Sequence, residues 1–496
     1  MSMKSSNNYL LPASSAQPQR AIPTDLLIGE HWRAGAEGRR IDVINPSTGE
    51  LLTSVADATV KDGIQSIDAA ARAAAGWAAT PPRKRAELLR TCFERMVANS
   101  EWLAQLISLE NGKALADAKS EVLYAAEFFR WYAEEAVRLE GEVSVAPSGA
   151  NRIVVMYQPI GISLLITPWN FPAAMATRKI APALAAGCTC ILKPAEETPL
   201  TAYAVAQIML EAGIPPGVVN VITTGDPAAV VKAMLHEGRI RKLSFTGSTE
   251  VGRLLLREAA DTVINSSMEL GGNAPFLVLD DANIEEAVAG AMIAKMRNGG
   301  EACTAANRFY VQRGVYEEFT KQLVARMGAV KLGEGCSPDT GCGALINRAA
   351  VAKIESLVAD AVKRGARVLL GGSAPTRPGF FYPPTVLADV PAGAEILKQE
   401  IFGPVAALVP FDSVDEAIAL ANDTEYGLVA YIYTGDLKTG LRVSERLESG
   451  MIALNRGLVS DAAAPFGGVK QSGLGREGSH HGIREFTEAK YIAVEW

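Results

Sequence analysis

Long apolar runs are missing from this sequence. No stretch approaches the roughly 20 consecutive apolar residues that cross a bilayer, and residues 1–20 lack the apolar segment of a secretion signal. A cytoplasmic protein without a membrane partner is therefore expected. Runs of one charge are missing too: 48 basic side chains stand against 55 acidic ones, a formal net charge of -7. That balance speaks against a nucleic-acid surface and leaves small soluble ligands as the expected partners. Cysteine is scarce, with six in 496 residues, at 92, 188, 190, 303, 336 and 342. They lack paired CxxC spacing, so reduced thiols are expected rather than a disulfide framework or a zinc site. The four histidines (31, 236, 480 and 481) form no HExxH pattern. No metal centre is expected, and acid–base work falls to carboxylates, lysines or thiols.

What is there is a long chain with 48% apolar residues, enough for two or more packed units. Residues 1–22, rich in Ser, Asn and Pro, read as a disordered arm, with order starting near Leu26. Residues 62–139 carry apolar positions at helical spacing, Leu88, Leu89, Cys92, Phe93, Met96 and Val97 among them, and read as scaffold. From 161 to 279 short apolar runs (162–166, 190–193, 218–222, 242–245, 276–279) alternate with amphipathic helices, the pattern of a parallel α/β sheet. A second α/β stretch follows, with helices near 284–296, 315–327 and 350–364 and strands near 367–370 and 405–409. Residues 485–496 form a lone β-rich segment suited to pairing with another subunit's sheet edge, so an oligomer is expected.

Ligands of parallel sheets bind at the carboxyl ends of strands, which singles out four segments. Pro168-Trp-Asn170-Phe-Pro172 is a turn whose prolines fix the backbone and free the Asn170 amide to donate to an oxyanion. Thr246-Gly-Ser-Thr-Glu-Val-Gly252 joins a buried strand to a helix and turns backbone N–H groups toward an anion such as a pyrophosphate. Glu269-Leu-Gly-Gly-Asn sets a candidate base beside flexible backbone. Cys303, in Asn298-Gly-Gly-Glu-Ala-Cys303-Thr, sits where two glycines permit close approach of a ligand and suits a nucleophile. Taken singly, each has a plainer reading: a small buried thiol, a turn-bound carboxylate, an empty strand–helix turn, an asparagine satisfying its own loop.

Together they resemble the aldehyde dehydrogenase superfamily from about Asp25 to Trp496. The resemblance rests on seven blocks in one order: Thr167-Pro-Trp-Asn-Phe-Pro, Leu192-Lys-Pro-Ala-Glu196, Phe245-Thr-Gly-Ser-Thr-Glu-Val-Gly252, Glu269-Leu-Gly-Gly, Gly300 to Cys303, Glu400-Ile-Phe-Gly-Pro404 and Pro465-Phe-Gly-Gly-Val-Lys-Gln-Ser-Gly473. It implies an α/β fold with a Rossmann-type cofactor domain over 23–146 and 162–270, an α/β catalytic domain over 271–460, and a small β oligomerisation element from 147–161 and 484–496. It further implies that Cys303 attacks an aldehyde, that Asn170 and the Cys303 N–H hold the oxyanion, and that Glu269 activates the water that hydrolyses the thioester. Thr167, Pro168, Trp169, Lys193, Glu196, Gly247, Ser248, Gly252, Leu270, Glu400 and Phe402 are the implied cofactor-binding residues. A carboxylate at Glu196 accepts from free ribose hydroxyls and repels a 2′-phosphate, so NAD is expected, with NADP the alternative.

Within the superfamily the chain is most similar to succinate-semialdehyde dehydrogenase, through Phe171-Pro-Ala-Ala-Met-Ala-Thr-Arg178-Lys, Met296-Arg-Asn298, Ala306-Asn-Arg308 and Gly473-Leu-Gly-Arg-Glu-Gly478. That likeness implies a substrate site of Arg178, Arg297, Ser460 and Phe466, with two guanidiniums gripping a distal carboxylate. Glu301-Ala302 replaces the family's usual Gln-Thr, Thr304-Ala305 leaves no second cysteine, and Arg456 adds charge near the mouth. Glutarate semialdehyde, a sulfonated aldehyde or an aromatic carboxyaldehyde stay open as substrates, and a homodimer or homotetramer as the assembly. The rivals from other classes are a cofactor-independent thiol hydrolase and a binding protein that has lost the chemistry.

Overall fold

The computed structural model describes residues 8–11 and 20–495. An eight-stranded sheet runs in the order Gly473–Leu474, Asn265–Glu269, Ile240–Thr246, Ile162–Ile166, Cys190–Lys193, Val219–Val221, Leu26–Ile28, His31–Arg33. Its five middle strands are parallel, and antiparallel strands close both edges. Sheets covered on both faces favour apolar residues at most positions, and Ile162–Ile166 is buried throughout. Leu164 and Ile166 join a core with helix Val60–Ala78, while Leu165 joins the opposite core with helix Pro172–Ala186.

From Ile162–Ile166 the chain steps outward to Cys190–Lys193 and Val219–Val221, then returns to Ile240–Thr246 on the other side. That reversal opens a crevice at the strands' carboxyl ends, where Thr167 and Gly247 begin their loops. The seven-stranded sheet follows in the order Arg367–Leu370, Thr385–Ala388, Val405–Phe411, Ala306–Gln312, Ala274–Val278, Val429–Tyr433, Met451–Leu454. Only its Arg367–Leu370 edge is antiparallel.

Three expectations change. The apolar run at 276–279, grouped above with the first sheet, belongs to the second, between Ala306–Gln312 and Val429–Tyr433. Hydrophobicity marks a buried strand without saying in which sheet, and Gly271-Gly272 let the chain cross over. The arm over 1–22 is not wholly loose: Asn8–Leu10 pairs antiparallel with Ala21–Pro23, and Leu11 and Ile22 are buried in the main core. Residues 1–7 and 12–19 lie outside the described residues. Nor is the C-terminal segment lone: Thr487–Val494 pairs along its length with Arg152–Pro159, which also pairs with Glu142–Val145.

Candidate active site

Fourteen of the residues singled out above line one cavity of about 360 Å³: Pro168, Trp169, Asn170, Arg178, Gly247, Ser248, Glu269, Leu270, Arg297, Cys303, Glu400, Phe402, Ser460 and Phe466. The first sheet supplies Glu269 at a strand end, and the second supplies Cys303 just before strand Ala306–Gln312. Their meeting requires the crossover at Gly271-Gly272, where a Cβ on Gly272 would lie 2.6 Å from the Cys303 carbonyl oxygen.

Cys303 is half-buried at the end of a tight turn in which Asn298, Gly299 and Gly300 all take positive φ. Burial pushes its thiol up to about 12, opposed chiefly by the positive charge of Arg178. Glu269 is buried, and neither carboxylate oxygen accepts a hydrogen bond from the described protein. Desolvation first, and then the nearby negative charge of Glu477, raise its pKa well above the ordinary glutamate value. A carboxyl group so placed is a stronger base when ionised than a solvated one. Glycine at 467 leaves it room, since a Cβ there would lie 2.9 Å from Glu269 Oε1.

The Asn170 amide donates one hydrogen to the Glu301 carbonyl oxygen at 3.1 Å and keeps a second for a ligand. Its loop is fixed from helices that the sequence reading treated only as scaffold. Lys113 Nζ donates to the Asn170 carbonyl oxygen at 2.6 Å, and Asn111 Nδ2 to that of Trp169 at 3.1 Å. Glu121 pairs with Lys113 at 2.6 Å and accepts from the N–H groups of Ala173 and Ala174, capping the fully buried helix Pro172–Ala186. No apolar periodicity marks these polar positions, so sequence reasoning passed over them.

Arg178 lines the cavity as one of the two expected guanidiniums, and it already has a partner. It is buried, its Nε lies 2.5 Å from Glu477 Oε2, and its plane sits 4.2 Å from the Phe466 ring. Glu477 also takes Lys179 Nζ at 2.5 Å, and the two cations hold its carboxyl below the usual range despite burial. Arg297 stays more open: Nη1 reaches Ser460 Oγ at 3.4 Å and the guanidinium lies 4.8 Å from the Phe171 ring. Glu477 and Lys179 stood inside quoted blocks and were given no role. Tyr124 and Lys353 also line the cavity and were missed, and Thr246, quoted at a strand end without a role of its own, lines it too.

The implied cofactor residues divide. Trp169 and Phe402 pack edge to face at 5.3 Å, and half-buried Glu400, raised to about 7 by desolvation, accepts from Gly272 N–H at 3.2 Å. Ser248 caps helix Thr249–Ala260, whose amino end opens toward the cavity. Thr167, Lys193, Glu196 and Gly252 are not among the lining residues. Thr167 N–H donates to the Lys193 carbonyl oxygen at 3.1 Å, joining adjacent strand ends, and Lys193 pairs with half-exposed Glu196 at 3.3 Å. Gly252 is a packing glycine: a Cβ there would meet Leu270 Cδ2 at 2.4 Å. Arg456 turns back to the Leu458 carbonyl oxygen at 2.9 Å and does not reach the cavity.

A doubly wound sheet with an anion-ready helix terminus at its reversal point, joined to a second sheet that delivers a cysteine beside an unsatisfied carboxylate, defines a class: a nucleotide-crevice enzyme built around a thiol nucleophile. Residues 32–492 match the family model described as aldehyde dehydrogenase family. The chain belongs to that family. It is 54% identical over 444 residues to a succinate-semialdehyde dehydrogenase of Paenarthrobacter nicotinovorans, covering 90% of this chain and 99% of that one. It is 47% identical over 467 residues to a glutarate-semialdehyde dehydrogenase of Pseudomonas putida, covering 94% and 97%. A crystal structure of an Escherichia coli NADP-dependent enzyme superposes with a TM-score of 0.95 at 47% identity, covering 96% of this chain and 98% of that one.

Proposed function

We propose that this chain oxidises a small carboxylated aldehyde to the acid with a nicotinamide dinucleotide, and that the aldehyde is succinate semialdehyde. The observation that carries the reading is the convergence of Cys303, unsatisfied Glu269 and the Arg297–Ser460 pair on one cavity. The walls suit the cofactor: the Thr246 hydroxyl is buried without a protein partner, Ser248 opens a helix amino end, and Glu400 with Phe402 offers an acceptor and an aromatic edge to a ribose. A nicotinamide dinucleotide held by these residues would supply the acceptor for a hydride from the substrate carbon.

The rest falls to the protein. Cys303 gives its proton to water and attacks the aldehyde carbon, forming a thiohemiacetal whose oxyanion is held by the free Asn170 N–H and the Cys303 backbone N–H. Loss of the hydride leaves a thioester. Glu269 takes a proton from water, the hydroxyl adds to the thioester carbonyl, and the C–S bond breaks to return the thiolate and release the carboxylic acid. Arg297 and Ser460 hold the distal carboxylate. Arg178, already paired with Glu477, supplies positive potential from the cavity lining. Glu196 beside Lys193 favours NAD; because Glu196 is half-exposed, it can swing away and admit the 2′-phosphate of NADP. Exposed apolar side chains on the three-stranded sheet, Val143, Met156, Tyr491 and Ile492, support a homo-oligomer, dimer or tetramer, joined along that element, and a cytoplasmic setting goes with the same reading.

The test compares succinate semialdehyde with butanal, an uncharged aldehyde of the same length, following reduced cofactor at 340 nm. We expect kcat/KM to favour the acid, and Arg297→Ala to lower it by 10- to 100-fold for the acid alone, about 1.4–2.8 kcal/mol. Equal rates on both aldehydes in the unaltered enzyme would refute the carboxylate reading. Preference for the five-carbon glutarate semialdehyde would shift the substrate assignment and keep the mechanism.

A further inference from the structure

Lys295 sits in the last turn of helix Ile284–Met296, eight residues before the nucleophile, and has no solvent exposure. Its ammonium forms no ion pair with a carboxylate among the described residues. Instead Nζ donates to Asn307 Oδ1 and to the Gly403 carbonyl oxygen, each at 3.1 Å. A buried ammonium with neutral acceptors only is an expensive group to bury. Desolvation accordingly lowers its pKa to about 7.

Its place explains its use. The Gly403 carbonyl is wedged between Lys295 and the nucleophile turn, because a Cβ on Gly300 would lie 2.2 Å from that oxygen. Phe402, immediately before it, holds positive φ and packs against Trp169 at 5.3 Å, while Glu400 reaches back to Gly272 N–H. The Glu400–Gly403 loop is thus the joint where the nucleophile turn, the Asn170 loop and the Glu269 loop meet. Lys295 ties that joint to Asn307, at the start of strand Ala306–Gln312.

We propose that Lys295 is a positioning residue that clamps the Gly403 carbonyl against the nucleophile turn, so that Cys303 and the ribose-holding pair Glu400 and Phe402 keep one register. This rests on the reading that a nicotinamide dinucleotide lies between them. Lys295→Met fills the volume and removes the clamp; Lys295→Gln keeps a donor without the charge.

Dinucleotide binding, read from the change in tryptophan fluorescence to which Trp169 in the cavity contributes, and alkylation of Cys303 by iodoacetamide both report on the register without requiring that the aldehyde be identified. We expect Lys295→Met to raise the dinucleotide Kd about tenfold and to change the alkylation rate, and Lys295→Gln to bring both back to within about twofold of the unaltered enzyme. A merely structural lysine would move the melting temperature and leave both readouts of the folded protein untouched. If Lys295→Met binds dinucleotide and alkylates as the unaltered enzyme does, the proposal is overturned and the proposed function stands. If the unaltered enzyme binds no dinucleotide, both fail. Should Lys295→Met not fold, Asn307→Ala takes its place: weakened dinucleotide binding supports the clamp, and unchanged binding overturns it.

Discussion

Cys303 and Glu269 share a cavity that raises the pKa of each, the thiol by burial and the carboxyl by burial together with the charge of Glu477. Activation therefore rises with pH. Alkylation of Cys303 should increase steadily from neutrality upward without a plateau below about pH 9, because the thiolate fraction keeps growing toward the raised pKa. A plateau near pH 7 would show a thiolate stabilised in some other way. Glu269→Gln keeps the shape and removes the base. Turnover should fall by about 10²- to 10⁴-fold while a first-turnover burst of reduced cofactor survives, because thioester formation precedes the step Glu269 serves. Loss of the burst as well would make Glu269 the base for Cys303 itself.

At the scale of the element, the nucleophile turn is braced by a residue the sequence marks as atypical. Glu301 is buried, accepts from Ile346 N–H at 3.1 Å, and is raised to about 8 by desolvation. Its own carbonyl receives the amides of Asn170 and Asn298, at 3.1 and 2.9 Å. Between the ordinary value of 4.5 and about 8 the folded chain binds this proton more tightly than the unfolded chain. The Glu301 contribution to stability is therefore full at acid pH and drains away as pH rises through that window. Glu301→Gln retains the acceptor and removes the titration. Its unfolding midpoint should gain on that of the unaltered protein as pH is raised from about 5 to about 8. A constant difference would mean Glu301 does not titrate there.

At the scale of the molecule, the three-stranded sheet is the place where more chain is expected to add. Thr487–Val494 is an edge strand with one side unpaired in the described chain, and Tyr491 and Ile492 on it are 58% and 38% exposed. Edge strands with apolar side chains invite pairing with a second copy. Ile492→Asp combined with Val143→Asp should shift the light-scattering mass toward the monomer while leaving the first-turnover burst intact. An unchanged mass would move the interface elsewhere.

Much of this was legible in the residues. Parallel strands declared themselves as apolar runs because burial on both faces requires it, and the loops after them followed from where such sheets bind ligands. The seven blocks pointed to the family that residues 32–492 match, and the nucleophile, base and amide proposed from them line one cavity. What the residues left open were matters of partnership. Whether Arg178 is a free clamp or an ion paired with Glu477 depends on a residue 299 positions away coming within 2.5 Å. The same holds for Lys113 and Glu121 beneath the Asn170 loop, for Lys295 on the Gly403 carbonyl, and for the strand after Gly272 leaving one sheet for the other. Local sequence sets hydrophobic period, turn chemistry and the kinds of reactive group. It carries no record of which buried charge meets which, because that is decided only when the two sheets close over one cavity and each ion must find a partner or change its protonation.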